Sequence, residues 1–195
     1  MYRPVMASPQ TQPRTVKFGC QDTRRNFPRA SSGKRGESNF LAKFEKAYLD
    51  AEMRKLSFRN LASGREFALD GFGRADVVFM AWMHPDSEAD FTAMSLKSLS
   101  ITAIEGKISD WRKGLMQASR YRFFANRALL VLPPEVCSIA HGYLETFRNL
   151  NVGLWQFNPD TGVIRKHFTP RHGRPLNTKA REKAIQLITG KLKFR

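Results

Sequence analysis

The sequence has little cysteine and no long apolar run. Its 195 residues include only Cys20 and Cys137, far apart and with no CxxC or Cys/His cluster around them. That spacing argues against a zinc site and offers no disulfide framework. His84, His141, His167 and His172 show no ligand spacing and read as surface or loop residues. No apolar stretch approaches the roughly 18 residues that suggest a membrane span. The opening MYRPVMASPQTQPRTVKFG lacks the apolar core of a secretory signal. The expectation is a soluble, intracellular, cytoplasmic protein with no membrane contact. The glycines of DGFGR make neither a GxGxxG nor a lysine-bearing phosphate loop, and no internal repeat is visible.

Acids are also scarce: 17 Asp and Glu face 33 Lys and Arg, a net charge of +16. Residues 1–38 carry +6 and residues 165–195 carry +9, which leaves +1 for the 126 residues between them. A nearly neutral globule with two basic ends suits a polyanion, most often nucleic acid. Acidic lipid or an RNA scaffold would attract the same ends, and a merely solvated basic surface needs no ligand.

Residues 1–37, with four prolines and no sustained periodicity, read as a basic disordered arm. From Ser38, a candidate N-cap, the positions Phe40, Leu41, Phe44, Ala47, Tyr48 and Ala51 recur at helical spacing, predicting a helix that ends near Leu56. After Gly64, REFALDGFGRADVVFMAW contains two strands around a glycine-rich turn, a hairpin signal. The polar excursion 84–95 precedes the strand LSITAIEG. Next come a helix capped by Ser109 or Asp110 and a doubly covered strand in ALLVLP. A helix from about Pro134 to Leu150, strands in VGLWQFN and GVIRKHF, and a last helix in TKAREKAIQLITGKL complete the order. Trp111 and Trp155 read as core. The fold class is α/β, a mixed central sheet flanked by helices, with a globular unit at 38–170 and a basic C-terminal helix or tail at 171–195.

The strand that ends in Ile104-Glu105-Gly106-Lys107 raises a chemical question. Glu105 and Lys107 share the face of Leu99, Ile101 and Ala103. Burying such a pair is costly unless each group is satisfied by the other or by an ion. Asp76 opens ADVVFMAW on the face of Val78, Met80 and Trp82, and that strand is expected beside the one carrying Glu105. Two acids at neighbouring strand ends can hold a hard divalent cation through oxygens, Mg2+ or Mn2+. A metal so held can activate water, while an adjacent ammonium stabilises developing negative charge. An acid on the first helix would complete the set: Glu45, near Leu41 and Tyr48, is best placed, and Glu52 is second. Each residue also has a plainer reading, Asp76 as a turn acid, Glu105 and Lys107 as a strand-end salt bridge, Glu45 as an exposed helix carboxylate.

GRADVV, then AIEGK, then a helix with QASRY resembles the PD-(D/E)xK nuclease superfamily over roughly residues 38–135. Ala75 stands where the family's name has proline. The resemblance implies a restriction-endonuclease-like core (αβββαβ), here with C-terminal additions. It makes Asp76 the first acid, Glu105 the second and Lys107 the lysine of a metal-dependent phosphodiesterase centre. Gln117 and Tyr121 are similar to the QxxxY of the branch related to bacterial recombination exonucleases, which implies a catalytic-site role for Gln117 and substrate contact for Tyr121. Beside this, RKHFTPRHGRPLN mixes cations with aromatic and glycine residues, suited to phosphate contact with some base stacking. Arg165, Lys166, Arg171, Arg174 and Lys179 are the candidate nucleic-acid-binding residues, unless the stretch is a flexible basic linker.

The expected function is a magnesium-dependent nuclease acting on DNA, its target supplied by partner proteins or by DNA structure, in phage defence, mobile-element processing or repair. The alternative is the same fold without the reaction, gripping nucleic acid or joining an assembly. A third, an unrelated RNA-binding protein, rests on charge alone.

Overall fold

Alternating strand and helix patterns bury their apolar faces by stacking helices on a sheet. A computed structural model describes residues 14–17, 33–52, 60–82 and 99–190. The strands are β1 (Arg14–Lys17), β2 (Asn60–Leu69), β3 (Gly73–Trp82), β4 (Leu99–Gly106), β5 (Arg127–Leu132), β6 (Gly153–Phe157) and β7 (Ile164–Phe168), adjacent in that order. β2 to β7 form a six-stranded mixed open sheet, and β1 adds to its edge in parallel with β2. β2, β3 and β4 are an antiparallel meander, β4, β5 and β6 run parallel, and β7 returns antiparallel. The helices are α1 (Gly33–Glu52), α2 (Trp111–Tyr121), α3 (Pro134–His141), α4 (Leu144–Asn149) and α5 (Thr178–Thr189). No helix among the described residues is long and apolar enough to cross a membrane.

Local chemistry explains the elements that position the site. Gly71 and Gly73 hold φ of 80° and 90° in the β2–β3 turn, a backbone region that glycine enters without steric cost. The Asp110 side chain caps α2 by accepting from the Lys113 N–H at 3.1 Å, and Trp111, Leu115, Ala118 and Tyr121 make the helix's buried stripe. β4 and nearly all of β5 are buried, as a strand covered on both faces must be.

Two cores result. On one face α2, α3, α4 and α5 pack with Val78, Met80, Trp82, Leu99, Ile101 and Ala103. On the other, α1 lays Phe40, Phe44 and Tyr48 over Val77, Phe79, Ile104, Trp155 and Phe157. Tyr48 stacks on Phe79 at 4.3 Å between centroids, and Phe40 and Phe44 both meet Phe157 edge-on. Such ring pairs add roughly 0.5–1.5 kcal/mol each beyond area burial.

The alternation of β2 and β3 reverses partway along. Leu61 and Val77 belong to the α1 core, whereas Phe67, Leu69 and Ala75, at the same parity, belong to the other. The reversal falls at Glu66, whose φ is 53°, between the pairs Arg65↔Val77 and Phe67↔Ala75. Its partner position across the hairpin is Asp76. A left-handed non-glycine residue costs roughly 1–2 kcal/mol, so packing on both sides holds it in place.

Four features depart from expectation. Residues 14–17 of the arm are a strand; only Thr15 and Val16 are β-branched, too short a signal to read. α1 begins at Gly33, so Ser38 is inside the helix; its first turns carry charge and glycine rather than apolar residues. The helix expected over 134–150 is two, separated at Gly142 and Tyr143, because Ala140 and Phe147 keep the apolar stripe continuous across the break. The C-terminal helix is no appended tail: Ala180, Ala184, Ile185 and Ile188 belong to the larger core. The excursion 84–95, residues 1–13 and 18–32 of the arm, the expected helix end near Leu56 and residues 191–195 lie outside the described residues.

Candidate functional site

β3 enters the sheet where β4 leaves it, so the start of one and the end of the other share a rim. Val77 pairs with Ile104, and one step further Asp76 comes beside Glu105. The Gly106 N–H donates to Asp76 Oδ2 at 2.9 Å. Lys107 folds back, its Nζ 2.7 Å from Glu105 Oε1 and 3.7 Å from Glu37 Oε2 at the start of α1. From α2, the Tyr121 hydroxyl lies 2.5 Å from Glu105 Oε2 and 2.6 Å from the Arg74 carbonyl oxygen. These groups line or floor a cleft of about 510 Å³ between the N-terminal part of α1 and one face of α2.

Backbone proximity makes this closure possible. At Gly106, a Cβ would stand 2.5 Å from Leu41 Cδ2, so a larger residue there would force the Leu41 side chain on α1 to shift. At Gly114, a Cβ would stand 2.7 Å from both Lys107 Cγ and Leu130 Cδ1. The two glycines let α1 and α2 close on the strand that carries Glu105 and Lys107.

The electrostatics follow from burial of like charges. Glu105 is 1% exposed. Burial, and then the neighbouring Asp76, push its carboxyl up to about 8, against the opposing pull of Lys107. Burial likewise raises Asp76 to about 6, although Lys107 and the Gly106 N–H favour its ionised form. Burial pulls Lys107 down, but Glu105 and Asp76 outweigh it and hold the ammonium above its ordinary value. Burial and the adjacent Glu105 push the Tyr121 phenol far up, so it is a neutral donor. The site combines two strained carboxyls, one firmly charged ammonium and one neutral hydroxyl.

Asp76, Glu105, Lys107 and Gln117 thus meet in one cleft, and Tyr121 supports it from below. Gln117 Oε1 is buried and has no hydrogen-bond partner among the described residues. Glu45 sits elsewhere: its carboxylate accepts from Arg65 Nε at 2.6 Å and from Ser63 Oγ at 3.1 Å, under α1. The α1 acid that lines the cleft is Glu37, two turns earlier. Its place four residues before Leu41, on the stripe that also leads to Glu45, was the available signal. Arg74, Lys113 and Arg120 also line the cleft and were not singled out in the sequence. Among the described residues, no three His, Cys, Asp or Glu cluster closely enough to hold a metal ion by themselves. Glu52 is in α1, and its side chain is outside the described residues.

The candidate basic residues do not reach this cleft. Arg165 and Lys166 are exposed on the edge strand β7, with Lys166 Nζ 4.4 Å over the Trp155 ring. Arg171, Arg174 and Lys179 are also exposed, in a segment tied to the opposite end of the sheet. There Asn126 Nδ2 donates to the Gly173 carbonyl oxygen, and the buried Arg181 donates to Asn126 Oδ1 and to the Leu99 carbonyl oxygen. From Leu99 to Glu105 along β4 is about 20 Å at 3.3 Å per residue. No known family profile and no curated protein matches this chain.

Proposed function

We propose that the protein is a metal-dependent nuclease whose centre is Asp76, Glu105 and Lys107. One observation carries the reading: two acids from separate strands, both pushed up toward neutrality by burial and with Asp76 adding to the strain on Glu105, stand at a cleft beside a charged lysine. Such a pair is costly in itself and is relieved by a cation. Magnesium suits the donor set, since it binds through one or two carboxylates and keeps several waters. Asp76 and Glu105 would hold it, and when bound it supplies Lewis acidity and an activated water.

The protein's own groups do the rest. Hydrolysis adds water oxygen to phosphorus and breaks the bond to one sugar oxygen, leaving a phosphate monoester and a hydroxyl. Lys107, held in its ammonium form, faces the negative charge that develops on the phosphoryl oxygens. That raised value makes it an electrostatic stabiliser, not a proton acceptor. Tyr121 fixes the Glu105 carboxyl from below. DNA is the proposed substrate, with target choice supplied by partner proteins.

A second reading is a nucleic-acid-binding or assembly component that keeps the fold without the reaction. The lack of a third clustered acid among the described residues favours it. Incubating the purified protein with linear, circular and single-stranded DNA, with magnesium or with chelator, separates the two. Cleavage that needs magnesium and is lost in Glu105→Ala and Lys107→Ala supports the nuclease. DNA binding without cleavage under any divalent metal, unaltered in both variants, supports the second reading.

A further inference from the structure

The cleft's cations are not equivalent. Arg74 is paired with Glu66 at 2.9 Å, and Lys107 with Glu105 and Glu37. Lys113 and Arg120 also line the cleft, are exposed, and form no ion pair among the described residues. They flank Gln117 on one stripe of α2, four residues before and three after it, and the buried oxygen of Gln117 has no hydrogen-bond partner among the described residues. At 1.5 Å per residue their backbones stand about 10.5 Å apart along the helix axis. Two long side chains spaced so can reach the phosphates one step to either side of a central one, since successive phosphates of a strand are farther apart than the roughly 3.4 Å axial rise per nucleotide.

We propose that Lys113 and Arg120 bind phosphates on either side of the reacting one, so that the cleft takes a strand running along α2 and rejects substrates much shorter than about four nucleotides. The proposal rests on the nuclease reading for the place of the reacting phosphate. It names what that reading leaves open, namely which residues grip the strand at the site. The basic C-terminal segment, about 20 Å away along β4, cannot do so for a short strand.

The test measures binding of full-length protein to fluorescent oligothymidylates, from dinucleotide to dodecanucleotide, by anisotropy in chelator over a salt series. Wild-type affinity should climb steeply between dinucleotide and tetranucleotide. The double variant Lys113→Gln/Arg120→Gln should bind the tetranucleotide roughly tenfold more weakly, with the slope of log affinity against log salt reduced by about 1.4, or 0.7 per lost single-strand contact. Lys183→Gln, which alters an exposed cation on α5, should leave tetranucleotide binding unchanged. An unchanged slope in the first variant, an equal loss in the second, or a dinucleotide bound as tightly as a tetranucleotide would each overturn the proposal. Because binding is read without divalent metal, a protein that never cleaves DNA still gives a clear answer. Failure of the nuclease reading would appear only in the cleavage assay.

Discussion

The hydroxyl of Tyr121 stands 2.5 Å from Glu105 Oε2 and ties α2 to the end of β4. The same oxygen is 2.6 Å from the Arg74 carbonyl oxygen, so one phenolic proton faces two acceptors. Both contacts are satisfied when Glu105 is itself protonated and donates to the phenol, which then donates to Arg74. Once Glu105 ionises, the phenol must choose. Tyr121→Phe should therefore lower stability by about 1–2 kcal/mol in denaturant titrations, a buried hydrogen bond's worth. It should also slow magnesium-dependent cleavage roughly tenfold, because the carboxyl loses its anchor.

The raised carboxyls make stability pH-dependent in a definite direction. Glu105 moves from 4.5 to about 8 and Asp76 from 3.8 to about 6, so between those values the folded state binds more protons than the unfolded state. Their contribution to stability is fully present below the lower values and is lost as pH rises through about 6 and then about 8. In chelator, the denaturation midpoint of the wild type should fall relative to that of Glu105→Gln across this interval. Equal pH profiles for the two proteins would contradict the assigned burial strain.

Metal binding at the proposed centre would run against the same protons. Ligands must be deprotonated to coordinate, so Mn2+ or Mg2+ should bind more tightly, with fewer protons released, as pH rises from about 6 to above 8. Calorimetry in buffers of different ionisation enthalpy measures both. Asp76→Asn should abolish the heat without unfolding the protein.

Gly106 separates the two charged residues of the strand end, and a Cβ there would press on the Leu41 side chain of α1. Gly106→Ala should cost about 1–3 kcal/mol by overpacking against Leu41. Adding Leu41→Ala should recover part of that loss, giving a favourable coupling energy in a double-mutant cycle.

Glu45 and Glu37 should separate stability from activity. Glu45→Gln weakens its ion pair with the half-exposed Arg65 and should lower the melting temperature while leaving magnesium-dependent cleavage intact. Glu37→Gln removes a charge near Lys107 and should change cleavage more than stability.

Much of this was legible in the residues. The period-two pattern of 99–107 and the strand of Val77 to Trp82 placed Asp76, Glu105 and Lys107 at one rim, and the spacing of Gln117 and Tyr121 put both on the near face of α2. Three things were hidden. The reversal at Glu66 follows from a backbone angle that a glutamate seldom adopts and no composition announces. Glu37 looked like part of a polar arm because a helix's first turns need no apolar residue. Lys113 and Arg120 were two cations among many until the pairing of the others singled them out.

The docking of α5 changes what can be learned by trimming the chain. Deleting residues 171–195 would strip positive charge, but it would also take Ala180, Ala184, Ile185 and Ile188 out of the larger core and sever Arg181 from Asn126 and from the Leu99 carbonyl oxygen. A shortened protein that no longer held DNA would reveal only a collapsed interior. Neutralising Lys179 and Lys183 where they stand is the way to ask what the charge itself does, since solvent already surrounds both.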